Sequence, residues 1–286
     1  MPKLESIFRY PVKSMGGHQL NKASLGEWGI PGDRAWAVKD EAHGDIKGGK
    51  RFPQLMAMNA RFLAEPDAST ASPEIEITLP DDSTVRSSDA DVNQKLTQAV
   101  GSPLSLWPLL PAEQLDHYRR APAPPDADIE AGLRETFART SSEPLPDLSG
   151  FPKALFEFSS PPGTYFDAYP ILLMTTGALR TMQTRSNSSD HIAYDLRRFR
   201  PNLLIDLDGE FPENAWVGKS VQIGTVTLKV EMTCPRCIMT THGFRDLAKE
   251  PKVMRELVKQ NNGDLGVYCT ITTPGELKVG DPVNLI

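Results

Sequence analysis

Apolar positions along this chain recur mostly at intervals of two, the period of a half-buried strand. Glu74-Ile75-Glu76-Ile77-Thr78-Leu79 alternates strictly and runs into the turn residues Pro80-Asp81-Asp82-Ser83. The clearest alternation comes later: Val221 and Ile223, then Val226, Leu228, Val230 and Met232, across Gly224. That pattern predicts a hairpin-like strand pair delivering the chain directly to Cys234. The unbroken apolar run Pro170-Ile171-Leu172-Leu173-Met174 predicts a buried strand entering a helix over Ala178 to about Arg185. Thr175 or Thr176 is positioned to cap that helix, whose first-turn N–H groups can accept an anion. Leu203-Leu204-Ile205 reads as a short buried strand, and Gly275 to Val283 as turn and strand.

Helical spacing is rarer. One helix is expected from about Asp89 to Val100, with Asp89 or Asp91 as cap and Gly101 beyond its end. A short one is expected over Asp190 to Phe199, with Ile192 and Leu196 on one face, stopped at Arg200-Pro201. A third covers Pro251 to Gln260, with Pro251 in the first turn and Asn261-Asn262-Gly263 as the stop. The first hundred or so residues read as short strands punctuated by turns. Between Pro108 and Gly150 the chain is rich in Pro, Ala and Asp, including Ala121-Pro122-Ala123-Pro124-Pro125, and is expected to be a linker or an exposed insertion. There is no internal repeat.

The 286 residues suit two moderate domains better than one large one. The 25 Pro and 21 Gly imply many turns and speak against an all-helical fold. A net charge of −6 leaves no global basic field, so neither nucleic acid nor an anionic membrane is an expected partner. An anionic ligand therefore requires a local basic pocket. The opening residues Met1-Pro2-Lys3-Leu4-Glu5-Ser6 enter foldable sequence at once, and no apolar run approaches bilayer-spanning length, so the expected location is cytoplasmic. Three cysteines in such a chain argue for redox or metal chemistry rather than a disulfide framework. Cys269, in the apolar-flanked run Gly266 to Ile271, is expected to pack as a small hydrophobe.

The other two cysteines form Cys234-Pro235-Arg236-Cys237. A structural zinc site needs a second pair of ligands that the sequence lacks. A thioredoxin-type dithiol should open a helix, and Ile238 to Gly243 has no helical pattern. Two buried, inert thiols are the ordinary reading of such a motif alone. Arg236 counts against that reading, because a guanidinium beside a thiol favours the thiolate. Three further clusters share the positive character. Lys13-Ser14 stands beside Gly16-Gly17, where backbone can approach an anion. Arg34 follows the turn Pro31-Gly32-Asp33 into a strand, and Arg197-Arg198-Phe199-Arg200-Pro201-Asn202 leads into Leu203. Taken singly, the Lys-Ser turn is more often solvated surface, and Arg34 more often pairs with Asp33 or with another surface group; a solvated helix face explains Arg197 and Arg198, but less easily Arg200 and Asn202.

Together, in this order, these clusters and the cysteine run resemble the MOSC-domain proteins with an N-terminal MOSC-associated β-barrel, the family of the mitochondrial amidoxime-reducing component and its bacterial relatives. The resemblance runs through Tyr10 to Met15, Gly32 to Val38, Pro170 to Thr176, Phe199 to Ile205, Val217 to Thr241 and Val279 to Val283. Its most specific pieces are Arg200-Pro201-Asn202 and Arg236-Cys237-Ile238-Met239-Thr240-Thr241. It implies a mixed, β-rich α/β fold: a MOSC N-terminal β-barrel-type domain over 1–110, a Pro-rich linker or insertion over 111–150, and a MOSC β-barrel domain with peripheral helices over 151–286. It also implies the molybdenum cofactor, a pyranopterin dithiolene, with Cys237 as a further sulfur ligand to the metal. Lys13, Ser14 and Arg34 match anchors for the terminal phosphate of the pterin. Thr175, Arg200, Asn202 and Arg236 match positions that hold the pterin or its phosphate. The implied activity is reduction of N-hydroxylated compounds (hydroxylamines, amidoximes, N-hydroxylated bases) by oxygen-atom removal. His242 is a candidate general acid because it lies near Cys237 in sequence. The chain shows no ferredoxin-like domain and no anchoring segment, so electrons are expected from a separate donor protein of ferredoxin, flavoprotein or cytochrome type. The rival readings are a non-catalytic carrier of sulfur or molybdenum cofactor on Cys237, and a dithiol oxidoreductase using both cysteines.

Overall fold

The longest alternating run becomes the spine of the molecule. In the computed structural model, which describes residues 1–66, 70–186, 192 and 194–286, Val226–Pro235 is a ten-residue strand with its even-numbered positions buried and its odd ones half-buried up to Thr233. It pairs antiparallel with Ser220–Ile223 across Gly224, and with Asp264–Thr273 on its other side. These belong to an eight-stranded sheet. From Asp264–Thr273 the order continues through Ile171–Thr175, Leu203–Asp206, Lys3–Arg9 and His18–Leu20, while Val283–Leu285 closes the far edge. Ile171–Thr175 and Leu203–Asp206 run parallel. Their apolar stretches lack alternation because both faces of the sheet are covered. One face carries a core that includes Leu4, Ile7, Ile171, Leu173, Val221 and Leu228. On the other, helices Thr176–Arg185 and Lys252–Asn261 pack Met182, Val253 and Leu257 with Met174 and Leu204.

The N-terminal half supplies two smaller three-stranded sheets. Trp36–Asp40 lies between Asp45–Lys47 and Leu104–Pro108, and Ile75–Thr78 lies between Asn59–Phe62 and Thr84–Arg86. They enclose their own core, with Val12, Met15, Leu55, Ile75, Ile77 and Leu96 at its centre. Chain order and spatial order part at the beginning, because Lys3–Arg9 pairs with Leu203–Asp206 and so sits inside the sheet of the C-terminal half. The turn that follows it, Val12 to Gly16, is thereby held against that sheet. The result is the mixed, β-rich α/β fold expected. Among the described residues, no helix is long and apolar enough to cross a membrane.

Several expectations change. Of the helix expected over Asp190 to Phe199, the described part holds a single 3-10 turn, Leu196–Arg198, opened by the Asp195 side chain accepting from the Arg197 backbone N–H. Residues 187–191 and 193 lie outside the described residues. The stretch from Pro108 to Gly150 is more ordered than a linker. Its prolines leave two proline-free windows, and each forms a short helix, Leu115–Tyr118 and Ile129–Thr136. Tyr118, wholly buried, donates to the Leu110 carbonyl and accepts from the Leu110 N–H at 3.0 Å, and its packing with Ala37 and Ile46 ties the segment to the N-terminal module. Helix Val92–Val100 ends at Gly101 in the left-handed region, as expected, but neither Asp89 nor Asp91 caps it through its side chain. Asp89 accepts from Arg86 N–H and Asp91 pairs with Lys95 instead.

The Gly16-Gly17 pair does not approach an anion. Gly16 bonds back to Met58, and a Cβ on Gly17 would lie 2.1 Å from the Arg9 carbonyl oxygen. Glycine is required there because two backbones cross. Gly17→Ala is therefore expected to lower the unfolding free energy by about 2 kcal/mol, the usual cost of overpacking. Urea denaturation measures it, and a loss below about 0.5 kcal/mol would mean that the crossing yields without strain.

Candidate functional site

Three turns, each at the end of a strand or before one, bring polar side chains to a single cleft. The first follows Lys3–Arg9. Lys13 extends a buried stem and donates from Nζ to the Tyr165 carbonyl at 2.9 Å and to Asp167 Oδ1 at 2.8 Å. Burial pulls the ammonium pKa down, and Asp167 restores it only in part. For Asp167, burial works upward, but the charges of Lys13 and Lys50 outweigh it and hold the carboxyl below its usual range. Ser14 adopts φ 69, and its Oγ accepts from the Gly49 N–H at 2.8 Å.

The second turn carries Asp33 and Arg34. The Asp33 carboxylate, with its side chain fully buried, accepts from the Tyr10 N–H at 2.8 Å and from Asn202 Nδ2 at 2.9 Å, and pairs with the Arg34 guanidinium. Arg34 stands at φ 51 with its guanidinium carbon 4.5 Å from the centre of the Tyr10 ring. The third turn joins Leu196–Arg198 to Leu203–Asp206. Arg200, at φ 55, places its guanidinium carbon 4.2 Å from the same ring and donates to the Met15 carbonyl. Burial, with Arg34 close by, brings its pKa down to about 10. Asn202 is a cross-link, its Oδ1 accepting from the Leu172 N–H at 3.2 Å while Nδ2 donates to Asp33.

The hairpin strand ends on the same cleft. Arg236 donates through one terminal nitrogen to the Phe199 carbonyl at 2.6 Å and through the other to Cys234 Sγ at 3.1 Å, while its buried Nε meets no partner among the described residues. The guanidinium thus bonds to Cys234 rather than Cys237. Cys234 is 1 % exposed, and burial pushes its thiol up despite Arg236. Cys237 is a free thiol, only part-buried, at the start of the 3-10 turn Ile238–Thr241. Cys269 packs in the apolar core as expected, its thiol pushed far up by burial.

Lys13, Ser14, Arg34, Arg200, Asn202, Arg236 and Cys237 all line this one cleft. Five cationic side chains line it, Lys13, Arg34, Arg198, Arg200 and Arg236, with Asp167 also in the lining and Asp33 buried behind Arg34, in a protein whose net charge is −6. Three of its residues, Ser14, Arg34 and Arg200, hold left-handed backbone without being glycine, a strain that persists where surrounding structure enforces it. Thr175 is not brought there. It is wholly buried, its Oγ1 accepting from the Ala178 N–H and donating to Glu213 Oε2 at 2.5 Å, and the Gly177 N–H bonds to Leu207. That helix start is satisfied internally and offers nothing to an anion. His242 is also absent from the cleft: it is buried, with its pKa lowered by that burial. The Arg34 to Asp33 pairing that the sequence suggests is present, but buried and tied also to Tyr10 and Asn202. Sequence reasoning missed Tyr10 as a platform and Asp167 as a partner of Lys13; the first lies close to residues already singled out, whereas Asp167 has no local signal. Among the described residues, no group of three or more His, Cys, Asp or Glu side chains is placed to hold a metal ion between them.

The cleft is thus basic, with one part-buried thiol, and lies between a small β module and a larger sheet. The chain belongs to the MOSC-domain proteins: a MOSC domain matches residues 161–284, and a MOSC N-terminal beta barrel domain matches residues 1–105. It is 24% identical over 302 residues to mitochondrial amidoxime reducing component 2 of Bos taurus, covering 98% of this chain and 82% of that protein. The Homo sapiens protein of the same name is 26% identical over 308 residues, covering 97% and 81%. The Macaca fascicularis protein reaches 34% over 134 residues, covering 42% and 38%. The YUAD protein from Bacillus subtilis superposes on 100% of this chain and 96% of its own at a TM-score of 0.43 and 12% identity, a likeness too loose to bear on the site.

Two outcomes are expected from this geometry. Asp33→Asn keeps the shape but removes the charge beneath Arg34, and should cost about 3 kcal/mol in denaturant unfolding; a negligible change would show that Arg34 does not depend on it. His242 gives a pH signature. Its folded pKa lies below the unfolded value near 6.5, so its contribution is complete above about pH 6.5 and is lost as pH falls through the folded value. His242→Gln should flatten the decline in stability between about pH 7 and 5, and an unaltered slope would assign that decline to other groups.

Proposed function

We propose that this protein is a molybdenum-cofactor-dependent oxidoreductase that reduces N-hydroxylated compounds in the cytoplasm, with electrons from a separate donor protein. The observation that carries the proposal is the convergence of Cys237 with Lys13, Ser14, Arg34, Arg200 and Arg236 in one cleft. Family membership and the names of the relatives agree with it. The residues fit the cofactor. An anionic, phosphate-bearing pterin needs more positive than negative charge, and five cations against Asp167 and the buried Asp33 meet that need. The Arg236 Nε is a buried donor without an acceptor among the described residues. Cys237 offers a soft sulfur donor, one ligand of the kind molybdenum takes beside a dithiolene. Bound there, the cofactor supplies two-electron oxygen-atom chemistry, converting an N–OH group to N–H with release of water.

The chain's own work is placement. Lys13, Arg34 and Arg200 hold positive charge on largely buried side chains, and the Tyr10 ring carries two of those guanidiniums. Asn202 has its amide groups occupied by Leu172, Phe8 and Asp33, so it positions Asp33, and through it Arg34. A dithiol mechanism is poorly served, because Cys234 is buried and its thiol is pushed up.

Protein purified from a host that makes the cofactor should carry molybdenum and reduce benzamidoxime with an artificial donor. Cys237→Ser should lose both metal and activity, whereas Cys234→Ser should keep both. Wild-type protein with neither metal nor activity would refute the proposal, and equal damage from both substitutions would favour the dithiol reading.

A further inference from the structure

A second basin opens beside the cleft and shares Lys13, Ser14, Asp167 and Met239 with it. One wall is the Lys47 to Arg51 loop; the other is Arg120, Pro124 and helix Ile129–Thr136, all from the Pro-rich segment. Ile238, the residue after Cys237, lies on its floor. Cys237 itself lines only the cleft, so the basin opens beside the thiol site, between two parts of the chain that the proposed chemistry has not used.

Its charge is lopsided. Lys13, Lys47, Lys50, Arg51 and Arg120 line it against Asp167 and Glu135. Lys47 is paired with Asp45 at 2.7 Å, and Arg51 meets Asp40 only at 3.9 Å. Asp167 is taken by Lys13. Lys50 is exposed and, among the described residues, closes no ion pair, acting on Asp167 only at longer range; Arg120 spends its Nε on the Leu155 carbonyl at 3.2 Å and lies near Asp45 without an ion pair between them. Gly132 adds an independent observation. It sits inside helix Ile129–Thr136 on the basin wall, where glycine costs about 1 kcal/mol relative to alanine. A Cβ there would meet no protein atom within 4 Å, so packing does not account for it. What its absence leaves is room along the wall.

Resting on the proposed reductase reading, we infer that this basin receives an oxyanion, carboxylate or phosphate, at the far end of the substrate from the N–O bond, with Lys50 and Arg120 as its specificity-determining residues. The preferred substrates are then N-hydroxylated compounds that carry a negative charge.

The test compares benzamidoxime with 4-carboxybenzamidoxime and 4-(phosphonooxy)benzamidoxime, using wild-type protein and the Lys50→Gln and Arg120→Gln variants, with molybdenum content measured on each. Wild type should favour at least one anionic compound by about tenfold in kcat/KM, the scale of one charge-assisted hydrogen bond. Which one it favours identifies the oxyanion. The preference should shrink as salt is raised. Each variant should bring the ratio of anionic to neutral kcat/KM towards one while its molybdenum content stays at the wild-type level. Wild type that reduces all three alike would overturn this inference and leave the reductase reading standing. Variants that lose molybdenum in step with the ratio would assign the basin to the cofactor and overturn it too. Wild type without metal that reduces none of the three would remove the reading beneath it, and the inference with it.

Discussion

One buried carboxylate holds the cleft together. Asp33 accepts from the Tyr10 backbone, from the Asn202 side chain and from Arg34, and so joins residues from the first strand, the second turn and the C-terminal sheet. A carboxylate removed from water is tolerable only when it is paired and its lone pairs are used. Meeting that condition here fixes the relative position of two modules. Because Asn202 also binds the strand through Leu172, the N-terminal turn cannot shift without breaking a bond at each end.

That tether permits a cleft that would otherwise be unfavourable. Arg34 and Arg200 stack on the same Tyr10 ring, two like charges in a desolvated place, and Arg200 responds with a lowered pKa. Ser14, Arg34 and Arg200 each hold a backbone conformation that costs a non-glycine residue about 1 kcal/mol. The sheet on one side and the small β core on the other enforce it. A ligand that binds only the folded chain, and brings negative charge, relieves the repulsion and stabilises the protein by mass action. Stability and occupancy are thus coupled at this site by its construction.

The strands were largely legible, because period-two alternation is a local property: Ile75–Thr78 and the pair Ser220–Ile223 and Val226–Pro235 fall where the pattern puts them. The basic clusters were legible as residue types, but their convergence was not. It depends on Lys3–Arg9 pairing with Leu203–Asp206 and on contacts such as Tyr10 to Pro201, 191 positions apart. Where a residue has two uses with one local signature, sequence cannot separate them. Thr175 caps a helix whether it faces a ligand or Glu213, and Gly16-Gly17 admits an anion or a crossing backbone equally well. Prolines between Pro108 and Gly150 mark where helices cannot run, but not that Tyr118 would be driven into the core between them. The cofactor itself came from resemblance; residue chemistry asked only for an anion and a thiolate.

The division of labour between the two cysteines follows from where the alternation of the strand is interrupted. Along Val226–Pro235, Val226, Leu228 and Val230 face the main core, and a register shift between Val230 and Met232 turns Met232 and Cys234 to the other face, where they pack with Leu172 and Tyr268. Its burial, its bond from Arg236 and its raised pKa are consequences of register, not of chemistry at the thiol. Pro235 ends the strand, and the chain turns into Ile238–Thr241. Cys237 lies beyond the reach of the alternation, so its side chain is free to face the cleft. Three residues after Cys234, the period that buries alternate side chains of the strand no longer operates. The spacing of the motif therefore places one cysteine in the core and one at the site, with Arg236 between them bracing the wall on which Cys237 stands.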